Sequence, residues 1–292
     1  MRKELDLSLY LVTDRDLTLG RSLEEVVAKA VEGGVTMVQL REKDASTGEF
    51  VSLARKLMQI LHPLNIPLII NDRVAVALAV NADGVHIGQS DMAYEDARKL
   101  LGKDKIIGLS VESFEDIEIA NTLDVDYIGI SPVFGTQTKT DTAEPFGLDG
   151  LRKAVVKSIH PTVGIGGMNK ETAADVMQTG CDGIAVVSAI CSAENIQVET
   201  EKLKTIVDTN ATKLWSKEIW NKSLEIYNAI LKHKFIDELS FGTLSDEIFG
   251  RYIAQDEIYL KNYYHQMFML ADLMEDNQSK DLFISFAKSG ME

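Results

Sequence analysis

Short apolar runs, rich in β-branched residues, recur along the first two-thirds of the chain, and most break off at a polar cluster. They lie at 7–13, 36–41, 68–72, 84–88, 106–110, 127–131, 162–166 and 183–188. The segments between them, such as SLEEVVAKAVEGG, GEFVSLARKLMQIL and NKETAADVMQTG, carry helical periodicity. Continuous apolar strands alternating with helices predict a parallel sheet whose two faces are both covered. Eight such units predict an α/β fold, a closed (β/α)8 TIM barrel. A doubly wound open sheet is the alternative.

Beyond about residue 203 the pattern changes. No proline follows Pro161, the β-branched runs stop, and long helical repeats begin. Trp220, Leu224, Tyr227 and Leu231 are spaced four, three and four, which is one face of a helix. Ile253, Leu260, Tyr263 and Met267 mark a second face. The expected organisation is a barrel over 1–206, a linker at 207–212 and a short all-α segment over 213–292. Such a helical piece buries little core by itself and reads as a partial domain.

Composition narrows the function. The chain has 292 residues, 45% hydrophobic and 26% charged, with a formal charge of −15. That balance argues against nucleic acid or a membrane surface as a partner, since either needs a basic stripe. An anionic ligand would be held by a few local cations or by metal. The two cysteines, Cys181 and Cys191, form no zinc or disulfide framework, which fits a reducing compartment. The start, MRKELDLSLYLVTD, has no signal-length apolar core, so a cytoplasmic location is the default expectation.

A barrel of this kind collects its chemistry where strands end. The second strand runs into Gln39-Leu40-Arg41-Glu42-Lys43, the third into Asn71-Asp72-Arg73 and the fifth into Ser110. The sixth leads into SPVFGTQTKTDTAEPFG, the seventh into Gly166-Gly167 and the eighth into Val187-Ser188. The opposite ends look plainer, as at Ala82-Asp83 and Val125-Asp126. Gly166, Gly167 and Ser188 are a candidate phosphate site, because such barrels seat phosphate between their last two loops. A tight strand-to-helix turn would use the same glycines, and Asn169 would cap the helix that follows.

Arg41, Lys43 and Lys139 beside Asp72 and Asp91 point to a polyphosphate with Mg²⁺, a hard cation held by one or two carboxylates. Each acid also precedes a helix and could be its N-cap. The loop around Lys139, with Thr136, Thr138, Thr140 and Thr142, is long enough for a lid, or is a solvated surface loop. His86 is the one histidine near a catalytic strand end, and a satisfied interior imidazole is the commoner outcome. No nucleophile triad appears. Anion binders without a general base suit departure of pyrophosphate better than acyl transfer.

At this point a resemblance enters. YLVTD, QLREK, NDRV, ADGVHIGQSD, GLS, DYIGISPVFGTQTKTD, VGIGG and AVVSAI occur in the order found in the thiamine phosphate synthase family, across about residues 8–208. The resemblance implies Mg²⁺-dependent joining of 4-amino-2-methyl-5-hydroxymethylpyrimidine diphosphate to 4-methyl-5-(2-hydroxyethyl)thiazole phosphate, with release of pyrophosphate. It implies that Asp72 and Asp91 hold Mg²⁺. Arg41, Lys43, Asn71, Ser110 and Lys139 would surround the diphosphate, with Arg41, Lys43 and Lys139 as the catalytic cations. Gln39 and His86 would face the aminopyrimidine. Thr136, Thr138, Gly167, Val187 and Ser188 would hold the thiazole phosphate. A phosphosugar isomerase or aldolase and a precursor sensor that has lost turnover are the competing readings.

The tail carries a second resemblance. KFIDELSFGTLSDEIFGRYIAQDEIYLKNY is similar to the N-terminal part of the thiaminase II-like family, which hydrolyses aminopyrimidines in thiamine salvage. Asp256 matches that family's pyrimidine-binding aspartate, and Tyr259 lies in the same QDxxYL motif. From spacing alone, Asp256 interrupts an apolar stripe, either buried with a partner or at the stripe's edge. The family's catalytic cysteine belongs further on and no cysteine follows Cys191, so thiaminase turnover is not expected. A truncated fusion, a remnant and an assembly piece, with a homo-oligomer as one form of assembly, all fit this tail.

Overall fold

The computed structural model describes residues 5–135, 144–212, 215–274 and 276–289, in two compact units, 1–218 and 219–292. In the first unit eight strands pair in parallel in chain order. They are β1 (Leu9–Val12), β2 (Met37–Leu40), β3 (Leu68–Asn71), β4 (Gly84–Ile87), β5 (Ile106–Val111), β6 (Tyr127–Ile130), β7 (Thr162–Ile165) and β8 (Gly183–Val186). Strand β8 closes on β1 with Leu9 opposite Ile184 and Leu11 opposite Val186, which excludes the open sheet.

Helices alternate with the strands: α1 (Leu23–Glu32), α2 (Thr47–Leu61), α3 (Val74–Val80), α4 (Tyr94–Leu101), α5 (Phe114–Ala120), α6 (Gly147–Lys157) and α7 (Ala173–Met177). A short α8 (Ser188–Cys191) and the longer α9 (Ile196–Asn210) complete the ring. Several starts are written locally. Ser22, Ser113 and Asn195 accept backbone N–H groups at the starts of α1, α5 and α9. Ser46 and Glu49 form a reciprocal capping box on α2. Each such cap contributes roughly 1 kcal/mol.

Period-two alternation separates two cores. Outward residues such as Leu11, Val38, Ile70, Val85, Ile107, Ile128 and Val186 pack with the helices. Inward residues Tyr10, Met37, Ile69, Tyr127, Val163 and Ala185 fill the barrel. Continuing the alternation, the inward positions nearest the C-terminal ends of β2 to β5 are Gln39, Asn71, His86 and Ser110. The polar rim therefore follows from strand geometry.

The N-terminal ends are less plain than the sequence implied. Thr36 Oγ1 accepts the Leu9 N–H at 3.2 Å, and Asp83 Oδ2 the Leu68 N–H at 2.8 Å. Asp126 Oδ2 accepts the Ile107 N–H at 2.8 Å, and Asp182 Oδ2 the Thr162 N–H at 2.7 Å. The residue leading into each even strand thus ties down the start of the odd strand before it. These acceptors serve the fold, each hydrogen bond contributing roughly 1 kcal/mol.

One boundary differs at the C-terminal side. Helix α9 runs to Asn210 with Val207 fully buried, so only Ala211 and Thr212 of the expected 207–212 linker are non-helical. The second unit forms its predicted helices: α10 (Trp215–Leu231), which starts just before the unit boundary, α11 (Lys234–Ser240), α12 (Asp246–Leu273) and α13 (Asn277–Ser289). Their apolar stripes stay largely uncovered, with Tyr227, Leu231 and Ile253 at 41%, 50% and 48% exposure. Among the described residues from 219 on, only Ala271 and Ala287 are buried. Helical spacing specifies a face but not a neighbour to cover it.

Candidate active site at the C-terminal mouth of the barrel

Asp72 and Asp91 decide between capping and convergence. Helix α3 has Arg73 at its N-cap position and α4 has Ala93, neither with a side-chain cap bond. Asp72 instead takes the left-handed backbone, φ +58°, which aspartate tolerates better than most side chains. Consecutive tight turns follow, Arg73 N–H to the Asn71 carbonyl at 2.6 Å and Val74 N–H to the Asp72 carbonyl at 3.1 Å. The Asn71 amide donates to Asp72 Oδ2 at 2.6 Å. Asp91 folds back to accept the Gly88 N–H at 2.7 Å.

The two carboxyls meet. Asp72 keeps solvent contact, yet crowding by the rim pushes its pKa up to about 6, helped by the hydrogen-bonded, negatively charged Asp91. Asn71 and the Arg41 charge oppose the rise. Two acids in this relation repel each other once ionised, and a divalent cation would relieve that repulsion. Among the described residues no cluster of three or more acidic, His or Cys groups surrounds a point. The donor set fits Mg²⁺, which takes one or two carboxylates and fills its remaining positions with water and phosphate oxygens.

Arg41 stands 3.8 Å from Asp14, and its N–H bonds Thr13 Oγ1 at 3.1 Å. With Lys43 it lines a cleft of ≈ 280 Å³ beside Asp14 and Glu42. Glu42 turns inward onto Arg15 at 2.8 Å and leaves Oε1 buried without a hydrogen-bond partner. Arg73 braces this loop. Its guanidinium donates to the Ala45 carbonyl at 3.0 Å and the Lys43 carbonyl at 3.4 Å, and lies 5.3 Å from the centre of the Phe50 ring. A larger cavity of ≈ 390 Å³ lies at the N-terminal end, where Asp83 and Asp126 already hold strands.

The barrel interior carries an unforeseen chain of polar groups. Gln39 Nε2 donates to Tyr10 Oη at 2.7 Å, and Tyr10 and Tyr127 Oη lie 2.8 Å apart. Tyr127 Oη meets His86 Nδ1 at 3.0 Å, and His86 Nε2 meets Ser110 Oγ at 2.8 Å. Both imidazole nitrogens are thereby engaged within the protein, and His86 is 4% exposed. His86 thus sits as the interior imidazole that was the commoner expectation, and it reaches the mouth through Ser110. Gly108 makes room for the chain, because a Cβ there would lie 2.1 Å from Tyr127 Cζ. Gln89, on the next loop, donates to the Ser110 carbonyl at 2.7 Å.

At the seventh strand end, Gly166 and Gly167 hold φ +99° and +69°, conformations that two L side chains would not share cheaply. A Cβ on Gly167 would lie 2.9 Å from Phe134 Cβ. Asn169 accepts the Glu171 and Thr172 N–H groups, shaping the turn ahead of α7. Val187 and Ser188 stand at the start of α8. Thr136, Thr138 and Lys139 fall outside the described residues. The base of their loop is pinned, with Phe146 N–H on the Pro132 carbonyl and Gly147 N–H on the Val133 carbonyl, both 2.9 Å.

In the helical unit Asp256 is half-buried. Tyr259 is 61% exposed and stacks on Tyr263 at 6.1 Å.

Fold and rim together define a (β/α)8-barrel enzyme with its charged groups gathered on the C-terminal mouth. The family model for thiamine monophosphate synthase matches residues 9–190, and the chain belongs to that family. Its barrel is 48% identical over 203 residues to the thiamine-phosphate synthase of Clostridium novyi, covering 70% of this chain and 100% of that one. It is 52% identical over 200 residues to that of Leptospira biflexa, covering 67% and 95%. The thiamine phosphate pyrophosphorylase structure from Pyrococcus furiosus superposes with a TM-score of 0.66 at 42% identity, covering 71% and 98%. A second family model, TENA/THI-4/PQQC, matches residues 217–278. Among the described residues no helix is long and apolar enough to cross a membrane.

Proposed function

We propose that the barrel joins 4-amino-2-methyl-5-hydroxymethylpyrimidine diphosphate to 4-methyl-5-(2-hydroxyethyl)thiazole phosphate, forming thiamine phosphate and releasing pyrophosphate. The observation that carries the reading is the convergence of Asp72 and Asp91, which leaves both following helices without side-chain caps. Family membership supports the same conclusion.

Asp72 and Asp91 would hold Mg²⁺, which when bound neutralises charge on the departing pyrophosphate. Arg41, Lys43, Asn71, Ser110 and Lys139 surround the diphosphate and stabilise the negative charge that grows as it leaves. Gln39 faces the aminopyrimidine. An electron-rich aminopyrimidine tolerates positive charge on its methylene, so the bond to pyrophosphate breaks ahead of bond formation. Thr136, Thr138, Gly167, Val187 and Ser188 seat the thiazole phosphate and orient its ring nitrogen for attack. That nitrogen attacks with a lone pair and loses no proton, so no general base is needed.

In the helical unit, Asp256 and Tyr259 are carried as a residual pyrimidine contact. A cytoplasmic location rests on composition, and a homo-oligomer on the apolar residues this unit leaves exposed.

The test is turnover of both substrates with Mg²⁺, comparing the chain with Asp72→Ala and Lys139→Ala. Thiamine phosphate formation that collapses in both variants supports the reading. Substrate binding without turnover in the unmodified chain would sink it and favour a precursor sensor.

A further inference from the structure

We propose that the interior chain Gln39–Tyr10–Tyr127–His86–Ser110 couples the two halves of the pyrimidine site, so that an anion seated at Ser110 fixes Gln39 as a hydrogen-bond acceptor for the ring's amino group. The inference rests on the proposed substrate and deepens it. Tyr10, Tyr127 and His86 act as positioning residues.

The argument is one of proton counting. Burial pushes both phenols above the ordinary tyrosine range, so each keeps a single proton to give. Gln39 donates through Nε2, so Tyr10 spends its proton on Tyr127. Tyr127 then spends its own on His86 Nδ1. A neutral His86 is left with its proton on Nε2, which it gives to Ser110 Oγ. The ends follow: Ser110 keeps a proton for the mouth, and Gln39 keeps its carbonyl oxygen.

One other neutral arrangement exists, with every donor reversed and the Gln39 amide turned over. Ser110 would then give its proton inward and offer only lone pairs to the mouth. A diphosphate accepts hydrogen bonds and gives none, so it favours the first arrangement. The groups between the ends have no spare protons, so the two ends change together.

Strand register supports this layout. Tyr10 pairs with Met37 and Tyr127 with Gly108, one inward position below Gln39 and Ser110 respectively. The phenols therefore lie beneath the two mouth residues as a buried link. The stacked His86 and Tyr127 rings, 5.5 Å apart, and the edge-on Tyr10 and Tyr127 rings, 5.9 Å apart, hold it in shape. Gly129 leaves space for it, since a Cβ there would lie 3.2 Å from His86 Cε1.

The experiment compares kcat/KM for the 4-amino pyrimidine diphosphate and its 4-oxo analogue, which lacks the ring amino group. Tyr127→Phe keeps the ring and removes the link. Its preference for the amino substrate is expected to fall about tenfold or more, with thermal unfolding close to that of the unmodified protein. An unchanged preference overturns the inference. Tyr10→Phe, which breaks the chain nearer Gln39, carries the test if Tyr127→Phe does not fold.

A second measurement separates failure of the chain from failure of the substrate assignment. Nitrogen NMR of His86, recorded with Mg²⁺ and inorganic pyrophosphate at neutral pH, is expected to place the proton on Nε2 alone. A proton on Nδ1 overturns the chain even where turnover is normal. If neither substrate reacts but His86 carries the Nε2 proton, the substrate assignment fails and the coupling stands.

Discussion

Asp72 and Asp91, at the ends of neighbouring strands, turn their carboxyls to each other and leave α3 and α4 without side-chain caps. Two local stabilising opportunities, each worth roughly 1 kcal/mol, are given up for one concentrated negative point. Each carboxyl keeps one local hydrogen bond, from the Asn71 amide and the Gly88 N–H, but neither caps a helix, and the shared negative point suits a bound cation.

Replacing Asp72 or Asp91 with Asn should keep the barrel folded and lower turnover by about 10²-fold or more. The metal dependence should shift to higher Mg²⁺ concentrations. A Mg²⁺ titration of initial rates checks this, and a variant with parental rates at limiting Mg²⁺ would exclude the residue as a ligand.

The raised pKa of Asp72 sets a sign for stability against pH. With its folded value at about 6 against an ordinary aspartate value of 3.8, the native protein binds more protons than the unfolded chain between those values. Stability contributed by this group is therefore lost as pH rises from about 4 to 6, and stays lost above that. In the metal-free protein, Asp72→Asn should remove this slope and gain about 1 kcal/mol or less at pH 7, given the carboxyl's solvent contact. Mg²⁺ should stabilise the parent but not the variant above pH 6. Denaturant unfolding of the barrel across pH 4–8 reads both effects.

Gly167→Ala should destabilise the barrel by about 1–3 kcal/mol, because it imposes a side chain on a left-handed backbone. The added Cβ would also press on Phe134 at 2.9 Å. KM for the thiazole phosphate should rise. Gly48→Ala, on α2 with nothing within 4 Å of the added carbon, serves as the control. It should be neutral or slightly stabilising.

Arg73→Lys keeps the charge but loses the fork that reaches two carbonyls of the β2–α2 loop. Lys43 rides on that loop. KM for the pyrimidine diphosphate should rise about tenfold, the equivalent of roughly 1.4 kcal/mol, with little change in the melting temperature. A matching fall in stability would mean that Arg73 braces the fold as a whole.

Residues 1–212 should fold and turn over without the helical unit, because α9 packs on the barrel and its Val207 and Leu203 are buried there. Circular dichroism and initial rates of that fragment are the check. A fragment that unfolds would show that the second unit supports the barrel.

Much of this protein was legible in the chain itself. Strand count and order follow from apolar runs, and the polar mouth follows from the inward phase of Gln39, Asn71, His86 and Ser110, because alternation depends only on neighbours two residues away. The helix caps at Ser22, Ser46 and Ser113 are equally local. Partnership is not. Asp72 and Asp91 had two readings until the rim brought them together, and Asp83 and Asp126 looked incidental until each was found holding the strand before it. His86 had two readings, an interior imidazole and a substrate contact, and only the closed barrel gives both its nitrogens partners inside. Tyr10 and Tyr127 lie 117 positions apart in the chain, and only closure of β8 onto β1 completes the interior in which they meet at 2.8 Å. A local pattern fixes which way a side chain points. Only the closed barrel decides what it meets there.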